Sequence, residues 1–160
     1  MTMIFESPDK GKTVYMREFG SLNRTLVSSS NESLQMIHIP VSLGELVDKI
    51  TILHIKLTEI TDAEKVKNIQ KEFYLLTGLD VYTELEHELK EYYQRLFDVN
   101  YEIWRLEDVI RECESSGRFD DYFVESSRQI HKANKKRSQI KKEINIKYKS
   151  QVVEEKSYKD

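Results

Sequence analysis

Apolar residues recur at helical spacing through most of this chain, and the first such run is the widest. In IPVSLGELVDKITILHIKLTEI, residues 39 to 60, Leu43, Leu46, Val47, Ile50, Leu53, Leu57 and Ile60 share one helical face. Ile52 and Ile55 broaden it, so this helix is expected to be packed on more than one side. Ser42, three residues before Glu45, supplies a capping-box start just after Pro40. Thr61-Asp62-Ala63-Glu64 repeats the device and predicts a break near 61, then a short second helix ending near Leu76.

The next run is longer. Leu85, Leu89, Tyr92, Leu96, Val99, Ile103, Leu106 and Ile110 are spaced 4-3-4-3-4-3-4, a coiled-coil-like seam that requires a facing helix. Gly78 and Asp80 stand before it as a C-terminal glycine and an N-cap, and Gly117 ends it. Asp120 is placed to cap a last helix over 121–149. That helix repeats the rhythm with more polar residues: Phe123, Ser127, Ile130, Asn134, Arg137, Lys141, Ile144 and Tyr148.

Residues 1–38 follow another pattern. MIFESPDKGKTVYMREF reads as strand, turn, strand, with the turn at Pro8-Asp9-Lys10-Gly11 and period-2 alternation from Thr13 to Arg17. RTLV and LQMIHI predict further short strands, separated by a polar loop, SSSNES, at 28–33. The tail SQVVEEKSYKD is strand-like or flexible. The expected fold is therefore mainly α: an antiparallel long-helix bundle over 39–150, a small antiparallel β appendage over 1–38 and a tail over 151–160.

Charge sharpens the pairing of the two long helices. From Asp80 to Glu125 there are fourteen acidic and five basic residues, a net −9, and from Arg128 to Lys149 nine basic and one acidic, a net +8. Over the whole chain the charges nearly cancel, at −3, which argues against a dedicated nucleic-acid binder. Cys113 is the single cysteine, so no intramolecular disulfide forms and a reducing, cytoplasmic setting is expected. No apolar run is long enough to span a membrane, and MTMIFESPDKGK lacks the pattern of a signal peptide.

Most short motifs dissolve on inspection. Gly11-Lys12-Thr13 resembles the end of a phosphate loop, but Glu6 stands where the first glycine belongs and a strand follows. Glu84-Leu85-Glu86-His87 holds one Glu-x-x-His, whereas a carboxylate-bridged dimetal bundle needs two. His38, His54, His87 and His131 lack zinc spacing, so neither metal nor cofactor is expected. Glu112 and Glu114 flank Cys113 and disfavour its thiolate. Lys132, Lys135, Lys136, Lys141 and Lys142 make a basic face on the last helix, without the aromatic interleaving of a single-strand binder.

The most informative set is polar residues that fall on or beside seams. Asp48 and Lys49 flank the first stripe, Asn100, Trp104 and Glu107 flank the seam of the third helix, and Asn134 and Arg137 lie in that of the fourth. Converging between helices, they would form a pocket with cations, carboxylates and amides. Burying such groups costs several kcal/mol unless they satisfy one another, so the same set also reads as a network fixing helix register.

IPVSLGELVDKITILHIKL, NIQKEF, VNYEIWRLEDVIRECE, FDDYF, NKKRSQIKKEIN and VEEKSY together resemble a family of bacterial and phage proteins known as a domain of unknown function, from Ile39 to Tyr158. The resemblance implies a cytosolic protein and no particular activity, and FESPDKGKTVYMREFG looks like an addition typical of phage versions. The expected architecture is also similar to that of the all-helical chorismate mutases, which hold a dicarboxylate with arginines, one of them on the first helix. Here that helix carries Lys49 and Lys56 and no arginine. The leading expectation is a helical interaction module with a protein partner or a second copy. The alternative is an enzyme or binding protein for a small anionic, sugar-linked metabolite, held by Arg137, Lys49 and Asn134 with Asp48 or Glu107 as acid or base. Nucleic-acid binding through the last helix ranks third.

Overall fold

The computed structural model describes residues 3–6, 13–18, 20–21, 23–29, 39–152 and 155. Its elements are β1 (Met3–Glu6), β2 (Thr13–Glu18), β3 (Thr25–Ser29), α1 (Leu43–Glu59), α2 (Ala63–Thr77), α3 (Asp80–Ser116) and α4 (Asp121–Lys147). The fold is mainly α, as the 3.6-residue periodicity predicts. Contacts divide the chain into two units, Met1–Ile39 and Pro40–Asp160.

The first unit is an antiparallel sheet in the order β1-β2-β3. Met3 pairs with Glu18 and Glu6 with Tyr15, while a bulge between Val14 and Tyr15 shifts the β2–β3 register. Arg17 pairs with Glu6, holding that carboxyl below the usual carboxylate range, mainly through the hydrogen bond. Ser28 and Ser29 pair with Val14 and Thr13, so the expected polar loop begins inside a strand. The expected turn at Pro8–Gly11, the expected strand over 34–38 and most of the tail lie outside the described residues.

In the second unit α3 and α4 form a long antiparallel hairpin. Thirty-seven residues give α3 a length of about 55 Å. Gly117, at φ 64°, closes it in the left-handed conformation that favours glycine, and Asp120 accepts from the Tyr122 and Phe123 N–H groups to start α4. Leu89, Leu96 and Val99 of the α3 seam are buried, as the heptad predicts. On α4 Lys141 and Ile144 of the expected seam are buried and Phe123, Ile130, Asn134, Arg137 and Tyr148 half-buried, while Ser127 is exposed and Ser126, Ala133, Ile140 and Asn145 beside the seam are buried as well. The cross-helix ion pair Arg95–Glu143, at 2.7 Å, joins the minority charge of each helix and runs against the bulk partition.

α1 lies across the hairpin and completes the core with Leu43, Leu46, Val47 and Ile50. Its first three N–H groups all find side-chain acceptors. Leu43 donates to Ser150 Oγ (2.9 Å), Gly44 to Asn145 Oδ1 (2.8 Å) and Glu45 to Ser42 Oγ (3.2 Å). The Glu45 carboxylate pairs with Lys141, which is buried. Lys141 therefore belongs to the α1–α4 contact and not to a solvated basic face. α2 folds back on α1 and is capped by Asp62, accepting from Lys65 N–H at 2.9 Å, one residue after the expected Thr61. Leu79, not Asp80, is the N-cap of α3, directly after the α2 C-cap Gly78, and its apolar side chain can make no capping bond.

Candidate functional site

α1 is shorter than the hairpin it crosses, so a re-entrant corner opens beside it. There Ile52 and Ile55 of α1 face Asn100, Ile103, Trp104, Glu107 and Arg111 of α3 and Arg137 of α4 around a cleft of about 350 Å3. Positions 100, 104, 107 and 111 are i, i+4, i+7 and i+11, one face of a helix. Arg137 reaches the same space from the facing helix.

A buried hydrogen-bond chain runs into this cleft from α1. Asn100 is 5% exposed and Asp48 6%. Asn100 Nδ2 donates to Asp48 Oδ1 at 2.8 Å and to Thr51 Oγ1 at 2.9 Å. Thr51 Oγ1 donates in turn to the Asp48 carbonyl at 2.7 Å. The orientation of the amide follows. An ionised carboxylate only accepts, and the Thr51 proton is already used, so the NH2 end must face both. Asn100 Oδ1 is thereby turned toward Arg137, whose Nη1 lies 3.4 Å away. Among the described residues Arg137 makes no carboxylate ion pair, although it is half-buried. Arg111 is bound to Asp108 at 2.5 Å and stands 4.0 Å from Glu107.

Four residues singled out from the sequence thus meet here: Asn100, Trp104, Glu107 and Arg137. Asp48 stands behind Asn100 and does not line the cleft. Lys49 lies elsewhere, exposed and 2.7 Å from Glu72 of α2. Asn134 donates to the Ile130 carbonyl of its own helix at 3.1 Å. Thr51, Ile52, Ile55 and Arg111 were not anticipated. Arg111 was within reach of the arithmetic, being one step beyond Glu107 on the same face.

A second cleft, about 580 Å3, lies between α2 and α3 and is lined by Phe73, Thr77, Tyr82, Glu86, His87, Lys90 and Tyr93. Tyr93 Oη is 2.7 Å from His54 Nδ1. Burial, and secondarily Tyr82, pushes the Tyr93 phenol up to about 12, and burial followed by the Glu86 charge raises Tyr82. The folded protein therefore keeps protons that the unfolded chain releases near pH ~10. The stability held by these phenols is complete below that pH and falls as pH rises toward 12. The denaturation midpoint is expected to drop between about pH 9.5 and 11.5, less steeply in Tyr93→Phe. Equal slopes for wild type and variant would place the alkaline sensitivity elsewhere.

Among the described residues no group of three His, Cys, Asp or Glu side chains is placed to hold a metal ion. Cys113 is buried, with Arg118 Nη2 3.3 Å from its sulfur. Among the described residues no helix is long and apolar enough to cross a membrane.

Residues 36–160 match the family described as "Family of unknown function (DUF6165)", and the chain belongs to it. No curated protein and no solved structure shows significant similarity to the chain.

Proposed function

We propose that this member of the DUF6165 family binds a small anionic metabolite in the cleft between α1 and the α3–α4 hairpin. One observation carries the reading: Arg137 is half-buried at the cleft, oriented by Asn100 and left without a carboxylate partner among the described residues. A fixed cation partly removed from water and not neutralised is an anion site in waiting. Arg111 supplies a second positive charge at the rim, and Glu107 an acceptor for a hydroxyl or amino group on the ligand. Trp104 and the three isoleucines give an apolar wall. The volume suits a compact metabolite. Of the two carboxylates weighed as acid or base, Glu107 is the one a ligand would meet, and Asp48 acts through Asn100.

The test is thermal unfolding against carboxylates, phosphates, sugar phosphates and nucleotides, followed by calorimetric titration of any hit. A true ligand at about 100 times its Kd adds roughly 2.7 kcal/mol, a shift on the order of 5–10 °C. Arg137→Ala is expected to weaken binding by about 10-fold to 100-fold while moving the ligand-free Tm by less than about 2 °C. A large loss of Tm in Arg137→Ala, with no anion shifting the wild type, would assign the arginine to structure instead.

A further inference from the structure

The cleft between α2 and α3 is lined by three aromatic rings, Phe73 of α2 and Tyr82 and Tyr93 of α3. Each ring is held in place by the fold itself. Tyr82 is buried in the core of the helical unit. Tyr93 Oη is hydrogen-bonded to His54 Nδ1 of α1 at 2.7 Å. Phe73 packs against the His54 and Tyr74 rings, at centroid distances of 6.2 and 6.1 Å. At about 580 Å3 the cleft suits a compact organic ligand.

The polar groups give the sign of that ligand's charge. Glu86 lines the cleft and is in no ion pair among the described residues. Its charge reaches the wall: burial first, and Glu86 second, hold the Tyr82 phenol protonated. The first turns of α3, from Asp80 to Glu91, carry five carboxylates and one formal cation, Lys90. α2 and its cap add no net charge, with Lys65, Lys67 and Lys71 against Asp62, Glu64 and Glu72. The potential over the cleft is therefore negative. The π faces of aromatic rings attract the same sign of charge as the carboxylates do. A bare metal ion is not the fit, because among the described residues no three acidic, His or Cys side chains converge. Lys90 and His87 also line the cleft, but both are exposed, and the long Lys90 stem lets its ammonium turn to water. An anionic ligand would have those two groups to hold it against five carboxylates.

We propose that the α2–α3 cleft is a second binding site, which takes an organic ammonium cation against Phe73, Tyr82 and Tyr93 with Glu86 as its counter-ion. The site is separate from the anion cleft beside α1 and does not depend on it.

Calorimetric titration of the full chain with choline tests the proposal. Choline is expected to bind saturably, with a Kd below about 10 mM. Its neutral isostere, in which a tert-butyl group replaces the trimethylammonium, should bind at least about fivefold more weakly, because it keeps the shape and loses the charge. Glu86→Gln should weaken choline binding by about threefold to tenfold, and Phe73→Leu by a similar factor. Lys90→Gln should tighten it by about twofold, by removing a like charge. Glu86 and Lys90 are exposed, so their variants keep the fold even if Phe73→Leu loosens α2. Arg137→Ala should leave choline binding unchanged. A wild type that does not saturate overturns the proposal. So does equal binding of the neutral isostere, indifference to Glu86→Gln, or weaker binding in Lys90→Gln, the sign expected of an anion site.

Discussion

Gly44→Ala is expected to destabilise the protein by about 2–3 kcal/mol, although it places the best helix former in a helix. Propensity alone favours the change by about 1 kcal/mol. Packing opposes it more strongly. A Cβ on Gly44 would lie 2.6 Å from the Lys141 carbonyl oxygen and 2.9 Å from Asn145 Oδ1. The first of these is backbone in the last two turns of α4, so α1 must move. Moving it stretches the Gly44 N–H bond to Asn145, the Leu43 N–H bond to Ser150 and the Glu45–Lys141 pair together. The short Glu45–Lys141 contact, whose lysine is buried, is then lengthened, which weakens an ion pair where water screens it least. Urea unfolding followed by circular dichroism should show a lower midpoint with an unchanged slope, and a Tm lower by roughly 5–10 °C. A stabilised Gly44→Ala would mean that the two helices cross more loosely than this geometry requires.

This contact also shows where the sequence stops being legible. Ser42 and the stripe behind it are local signals, and α1 starts and packs as they predict. Nothing local marks Gly44 as a crossing point or joins Glu45 to Lys141 across the length of the chain. The α4 seam is legible in part for a related reason. Lys141 and Ile144 are buried as expected, but the contact also takes in the adjacent track of Ser126 and Ala133, whose apolar signal is slight.

Candidate site residues divide along the same line. Asn100, Trp104 and Glu107 were found together because helical arithmetic alone puts them on one face. Asn134 is half-buried, but its amide turns back to the Ile130 carbonyl of its own helix and does not line the cleft. Lys49 adjoins Asp48 in sequence but points about 100° away around α1, toward Glu72. Thr51 had no signal beyond lying one turn after Asp48, yet it completes the acceptor pair that orients Asn100.

Asn100→Ala is expected to cost about 3 kcal/mol, the second large effect, and its origin is electrostatic. Asn100 Nδ2 donates to Asp48 Oδ1, and its side chain is buried between α1 and α3. Removing it leaves a carboxylate that is 6% exposed facing a hole. The cost of an orphaned buried charge exceeds the modest net value of the bond that held it. A double-mutant cycle separates the two. Asp48→Ala removes the charge that needs a partner, so Asn100→Ala added to it should cost about 1–2 kcal/mol less than in the wild type. Asn100→Asp, nearly the same size, should be worse than Asn100→Ala at neutral pH, because it sets a second carboxylate against the first. Strict additivity of Asp48→Ala and Asn100→Ala would show that the amide serves packing alone. The cycle also distinguishes two kinds of residue in one chain of contacts. Arg137 faces the cleft and its loss is expected to be read in binding. Asn100 faces α1, and its loss is read first in stability and only then in binding, through an arginine no longer held in place.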